Sequence, residues 1–273
     1  ANLAVRKKGT AGSVVVVGGG PSLHRKNPAL VLREAGYQGQ IVASDAALGY
    51  CLRNGVVPNY VVSVDPHPHR IIRWFGDPFV ESRPPDDYYT RQDIDPIHRE
   101  NELRANELLL QLVNEYGKSI KAIIATSSDP GITRRCLDVG MELYWWNPLY
   151  DDYDEPGSYS RRVHELTGVP CMVTGGNVGA SSFVFANAIL EAEEVALVGF
   201  DFGYAPGTPP FNTQSYYELL DLLGDRIGEA FIDIKNPYTS ETWISDPTHY
   251  WYRNIFLEIV GVAGCRTFNC TEG

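Results

Sequence analysis

Glycines followed by small hydroxylated or acidic residues recur where strand-like apolar runs end, and these turns hold the groups able to do chemistry. The first is Gly18-Gly19-Gly20-Pro21-Ser22, after the β-branched run Ser13–Val17. Glycine lets the backbone approach a ligand and present N–H donors, and Ser22 adds a hydroxyl. The same residues also make an ordinary tight turn. Leu23 stands where a dinucleotide fingerprint needs its third glycine, and no Gly-Lys-Ser/Thr follows, so neither familiar phosphate motif applies. The second turn, Thr174-Gly175-Gly176-Asn177, opens a helix of small residues. Free N–H groups at such a start attract phosphate or carboxylate. Close packing of the helix on a sheet would call for the same residue types.

Aspartates close three further runs. Asp45 follows Ser44, Asp65 precedes Pro66, and Asp201 sits in Gly199-Phe200-Asp201-Phe202-Gly203-Tyr204. An Asp at a strand end can accept from ribose or base groups, ligate Mg²⁺, or cap a helix. For Asp45 capping and ligand contact are both open. Asp65 is the stronger ligand candidate, because Pro66 suits a bend out of the sheet. Asp201 either holds a neighbouring loop or touches the ligand. His249, in Asp246-Pro247-Thr248-His249, stands at the start of the last helix, where it could act as a general base. His67 and His69 lack a third partner in sequence, so a metal site there is weakly supported.

The elements that must position these residues alternate in type. Strands are expected at Ser13–Val17, Gln40–Ala43, Tyr60–Val64, Lys121–Ala125, Glu142–Trp146, Pro170–Val173, Glu194–Val198 and Cys265–Asn269. Helices are expected at Pro28–Ala35, Ala46–Asn54, Ile97–Tyr116, Pro130–Val139, Val178–Glu191 and Ser245–Val262. The strands are continuous apolar runs, as when helices cover both faces. The expectation is a three-layer, Rossmann-like α/β/α fold with a mostly parallel sheet, forming one nucleotide-binding domain over residues 1–273. Two Pro-rich stretches break the alternation, a loop excursion near 77–96 and a lid-like loop near 204–214. Both should lie over the cleft mouth, since ligand loops gather at strand carboxyl ends.

Composition narrows the partners. A formal charge of −11 argues against a broad nucleic-acid footprint, which needs a basic face. It leaves room for a small anion, because a local field can differ in sign from the whole. No apolar run reaches the roughly 18 residues of a membrane helix. No charged-then-apolar leader opens the sequence, and Cys51, Cys136, Cys171, Cys265 and Cys270 are odd in number without a CxxC pair. Reduced, mostly buried thiols and a cytoplasmic location are therefore expected.

The strings GGGPSL, SDAALGYCLRNGVVPNYVVSVDP, TGGNVGASSFVFANAILEAEEVALVGFDF and FNCTEG, in that order, resemble the DUF115 family. That family includes the motility accessory factor (Maf) flagellin glycosyltransferases and the MptE-like 6-hydroxymethylpterin pyrophosphokinases. The resemblance runs from Val14 to Gly273 and thins between about Trp74 and Lys118. It implies a Rossmann-like domain related to bacterial sialyltransferases that use CMP-sugars. In those enzymes a Gly-Pro-Ser-Leu turn and a Thr-Ser-Gly turn cradle the nucleotide, matching Gly19–Leu23 and Thr174–Gly176 here. The resemblance further implies a phosphate contact for Tyr204 and the role of base for His249.

Departures decide between branches. The sialyltransferases carry Asn where this sequence has Gly19, Asp45 and Asp65, whereas Maf-like sequences carry Asp at both strand ends. The Thr-Asp-Leu-Asp-Gly and His-Gly-Asp-Asn elements of the MptE-like branch are not found. The leading expectation is thus transfer of a nonulosonic (sialic-acid-type) sugar from a nucleotide-sugar to a glycan or protein acceptor, with no cofactor required. The first alternative is diphosphate transfer from ATP to a pterin-type alcohol, with Mg²⁺ on Asp65 and Asp201 as a further candidate ligand. The second is a nucleotide-binding module without catalysis.

Overall fold

A computed structural model describes residues 12–67, 72–82, 96–213, 215–236 and 239–271. Its main sheet has eight strands: β1 (Ser13–Val17), β2 (Gln40–Ser44), β3 (Tyr60–Ser63), β4 (Lys121–Ala125), β5 (Glu142–Pro148), β6 (Cys171–Met172), β7 (Glu194–Val198) and β10 (Arg266–Asn269). Their order is β10-β7-β1-β2-β3-β4-β5-β6, and every pairing is parallel. A parallel sheet buries both faces, which is why Val14, Val15, Val16 and Val17 are all apolar and all buried.

Alternate residues serve opposite layers. Val14 and Val16 join a cluster with Phe183, Phe185 and Phe256, contributed by the 178–189 segment and the last helix. Val15 and Val17 pack instead with Leu23, Ala29, Ala47 and Tyr50. Farther along the sheet, Val61, Ala122 and Ile124 pack with Leu109, Val113 and Ile132. The fold is the expected three-layer α/β/α arrangement, its main sheet parallel throughout the described residues.

The helices are α1 (Ser22–Lys26), α2 (Pro28–Glu34), α3 (Asp45–Arg53), α4 (Pro96–Tyr116), α5 (Pro130–Asp138), α6 (Tyr159–Thr167), α7 (Val178–Val184), α8 (Tyr216–Leu223) and α9 (Pro247–Gly261). Beyond α7 the backbone widens into a π-helical stretch over Phe185–Ile189. The apolar pattern does not announce helices α6 and α8. Nor does it announce the antiparallel hairpin of β8 (Ile232–Lys235) and β9 (Thr242–Ser245). The helix expected from Ser245 begins two residues later, because Asp246 adopts an extended backbone and caps it while Pro247 takes the first turn. Asp45 does not occupy the capping position of α3; Ser44 does, and Asp45 begins the helix.

From β1 the chain steps outward through β2 to β6, then returns to lay β7 and β10 on the other side of β1. The reversal puts a topological switch point between β1 and β7, and ligands of open parallel sheets bind outside the strand carboxyl ends at such a point. The excursion expected near 77–96 is described only at its ends. There Asp77 is buried, and its backbone exchanges hydrogen bonds with the Asn106 amide at 2.8 Å each way. His69 lies outside the described residues. Of the five cysteines only Cys51 and Cys136 are buried, fewer than expected, and burial pushes both thiols up to about 12. Among the described residues no helix is long and apolar enough to cross a membrane.

Candidate functional site

A cleft of about 950 Å³ opens over the carboxyl ends of the strands. Its lining draws Gly18–Pro21 from the β1 turn, Asp45 from the end of β2, Asp65 from beyond β3, Gly176 and Asn177 from the second glycine turn, and Asp201 and Tyr204 from the loop after β7. His249 completes the wall. Segments far apart in the chain thus converge, as the switch-point topology requires. Thr174 also reaches the lining, while Ser22 and Gly175 are not among the lining residues.

Ser22 is committed elsewhere. It is buried, and both its N–H (3.1 Å) and its hydroxyl (2.8 Å) donate to Oδ2 of Asp201. A Cβ on Gly20 would stand 1.9 Å from that oxygen, and one on Gly18 would stand 2.5 Å from the Gly199 carbonyl. The glycines therefore let two strand ends touch: Gly18 N–H donates to Val198 O (2.8 Å) and Gly20 N–H to Gly199 O (2.9 Å). Gly175, with φ +64°, would drive a Cβ to within 2.5 Å of Ala180, so its role is close packing in a left-handed turn. Gly19 is the member of the first turn with the most open approach, meeting only Ala46 at 3.0 Å.

Burial raises the Asp201 carboxyl to about 6, against the opposing pull of the Ser22 hydrogen bonds and the Arg25 charge. Its Oδ1 is buried without a hydrogen-bond partner among the described residues. Asp45, fully buried, accepts from its neighbour Ala46 N–H and from the Ser63 hydroxyl, both at 2.7 Å. Asp65 accepts from His67 N–H at 2.8 Å in a local turn and is half-buried on the cleft wall. Asn177 caps α7 through Ala180 N–H at 2.9 Å. The amides of Val178 and Gly179, in the first turn of that helix, have no intrahelical acceptor.

At the β7 side stands a residue that the sequence motifs did not single out. Asp246 is fully buried and accepts three donors: His249 N–H at 2.8 Å, His249 Nδ1 at 3.1 Å and the Tyr204 hydroxyl at 2.7 Å. Burial pushes its carboxyl up, but the hydrogen bonds from the His249 side chain and backbone, the histidine's charge and the Tyr204 bond outweigh it and hold the group at about 2. An ionised carboxylate can only accept, so Nδ1 of His249 carries a proton, and whenever the ring is uncharged Nε2 is its acceptor. Tyr204 packs edge-on against the imidazole at 5.1 Å between centroids. It reaches this place because its backbone pairs with Ile244 of β9, N–H to O at 2.7 Å and 3.2 Å in the two directions. The phosphate contact implied for Tyr204 competes with this arrangement, since its single hydroxyl proton goes to Asp246. Asp246 was legible in principle: an Asp before Pro with a polar residue three positions on is a helix-start signature.

Among the described residues no three His, Cys, Asp or Glu side chains gather closely enough to hold a metal ion by themselves. Mg²⁺ bridging nucleotide phosphates commonly needs only one or two protein carboxylates, and Asp65 is a carboxylate on the cleft wall.

Comparison with known proteins places part of this architecture. Residues 2–73 match the family model described as 6-hydroxymethylpterin diphosphokinase MptE-like, a stretch that takes in the β1 turn, Asp45 and Asp65. That match covers part of the span over which the sequence resembles the DUF115 family. The Maf glycosyltransferase from Magnetospirillum magneticum AMB-1 has a similar structure, with a TM-score of 0.56 and 18% identity over 96% of this chain. At that identity the likeness concerns the fold. The aligned region is 32% of the Maf chain, so this chain spans about a third of the length of that protein. No curated protein sequence matches the chain.

Proposed function

We propose that the cleft binds a nucleotide-activated sugar of the nonulosonic type and transfers the sugar to a hydroxyl acceptor. The observation that carries this reading is the Asp246–His249–Tyr204 group on the cleft wall, which leaves one imidazole nitrogen free to accept a proton. In the step proposed, Nε2 of His249 takes the proton of the acceptor hydroxyl as its oxygen attacks the anomeric carbon. The bond from that carbon to the phosphate oxygen breaks, and the nucleotide leaves with the electron pair. Asp246 steadies the imidazolium that forms, and Tyr204 steadies Asp246. The amides at Gly19 and at the start of α7 face the departing phosphate.

Three carboxylates on the wall, Asp45, Asp65 and Asp201, bear on the choice of donor. They oppose a triphosphate more than a single phosphodiester. Asp65 suits ribose hydroxyls. The second reading, diphosphate transfer from ATP to a pterin-type alcohol, is favoured by the match of residues 2–73 and would place Mg²⁺ at Asp65. Assays with CMP-activated nonulosonates and with ATP, each with and without Mg²⁺, separate the two. Metal-independent release of CMP supports the first, and strictly Mg²⁺-dependent AMP release supports the second.

A further inference from the structure

The cleft extends well past the glycine turns, and its far end carries an aromatic ring with no role in the chemistry above. Tyr150, just beyond β5, lines the cleft together with Pro148, Ser127 and Trp74, and 58% of its surface is exposed. Between the carboxyl ends of β7 and β5 lie five strand steps, about 24 Å at the usual inter-strand spacing.

The backbone that carries the ring is held firmly. Tyr150 N–H donates to the Ser160 hydroxyl at 2.9 Å. The next residue, Asp151, accepts from Ser158 Oγ (2.9 Å), Tyr159 N–H (2.6 Å) and Ser160 N–H (3.0 Å), closing the 151–158 loop onto α6. Hydrogen bonding from the Ser160 side chain, and then from the Tyr159 and Ser160 amides, holds the Asp151 carboxyl well below the ordinary range. Tyr159 meets the Tyr150 ring edge-on, with centroids 5.8 Å apart and planes at 70°. A T-shaped neighbour covers at most one face of Tyr150, and the ring's exposure leaves the other open to stack against a flat group.

Polarity assigns the occupant. With the reacting carbon beside His249 at the β7 side and the phosphate at the β1 and α7 amides, the rest of the donor must run toward β3, β4 and β5. That path passes Asp65, an acceptor for ribose hydroxyls, and ends at Tyr150. Resting on the nucleotide reading of the cleft, we infer that Tyr150 is the stacking platform for the nucleobase of the donor, while Ser127 at the same end of the cleft, its hydroxyl already donating to the Val64 carbonyl (3.0 Å), is left to accept from the base edge.

The test is calorimetric binding of CMP, UMP, GMP and AMP, with ribose 5-phosphate as a probe lacking a base, to wild type, Tyr150→Ala and Tyr150→Phe. Base–aromatic stacking predicts that Tyr150→Ala weakens whichever nucleotides bind by about 5- to 150-fold. Ribose 5-phosphate should bind all three proteins alike, and Tyr150→Phe should keep the wild-type nucleotide affinity. Equal nucleotide affinity in wild type and Tyr150→Ala would overturn the platform while leaving the cleft's function standing. Equal weakening of ribose 5-phosphate would also overturn it, by pointing to a general disturbance of the loop. Failure of wild type to bind any nucleotide would overturn the platform and the proposed function together.

Discussion

Asp246 grips His249 twice, accepting its backbone N–H at 2.8 Å and its ring Nδ1 at 3.1 Å, so one carboxylate both starts α9 and fixes the imidazole tautomer. The two duties can be separated by substitution. Asn caps helices about as well as Asp, whereas Ala loses the cap at about 1 kcal/mol. Asp246→Asn should therefore keep the helix cap, though not the charge-assisted bonds from Tyr204 and Nδ1, and should lower the transfer rate by about 10²–10⁴, the usual span for a general base. Single-turnover rates and thermal melts of Asp246→Asn beside His249→Ala check this. Full activity of Asp246→Asn would remove the orienting role.

Tyr204→Phe distinguishes two roles for one hydroxyl. The ring contact with His249 survives and the 2.7 Å bond to Asp246 is lost. A hydrogen bond to a charged group contributes about 1.5–3 kcal/mol, so kcat should fall by about 10- to 150-fold. If Tyr204 steadies Asp246, KM for the donor changes little. A rise in donor KM with kcat preserved would return Tyr204 to the phosphate contact that family resemblance implies.

Much of this arrangement is legible in the sequence. Ser13–Val17, Lys121–Ala125 and Glu194–Val198 can be read to the residue, because a doubly covered strand is a short apolar run with glycine or polar residues at its end. The convergence of Gly18, Asp65, Gly176 and Asp201 follows from strand-end placement. The place of Ser22 does not, because sequence does not say which of two neighbouring turns will claim a hydroxyl; Asp201, 179 positions away, claims it. The β8–β9 hairpin escapes notice because IDIK and TWIS are four residues each and half or more of their side chains reach solvent. With it goes the reason that Tyr204 and His249 meet, since β9 holds Ile244 and leads directly into Asp246.

The pH dependence of stability should carry the signature of Asp201. Its folded-state value, about 6, lies above the ordinary 3.8, so the fold favours the protonated form. That contribution is complete below 3.8 and is lost as pH rises through about 6. Asp246 acts in the opposite sense, contributing above 3.8 and fading as pH falls toward about 2. Melting temperatures of wild type and Asp201→Asn from pH 4 to 8 test the first, a window set by the folded value of about 6. Wild type should lose stability relative to Asp201→Asn across that range, and parallel curves would contradict it.

Glycines of the first turn should differ sharply. Ala at Gly20 collides with Asp201 and breaks its bonds to Ser22, and such overpacking costs about 1–3 kcal/mol. Ala at Gly19 meets only Ala46, so it should melt closer to wild type and act chiefly on ligand affinity. Chemical denaturation of the two variants provides the comparison. Equal destabilisation would show that the turn tolerates no side chain for reasons other than the Asp201 contact.

The most direct measurement is thermal unfolding with CMP, CDP, UDP, GDP and ATP, each with and without Mg²⁺. A ligand at about 100 times its Kd adds roughly 2.7 kcal/mol of stability, a shift readily observed. The cleft described here predicts stabilisation by a cytidine nucleotide without metal. Stabilisation by ATP alone and only with Mg²⁺, or by no nucleotide at all, would contradict it.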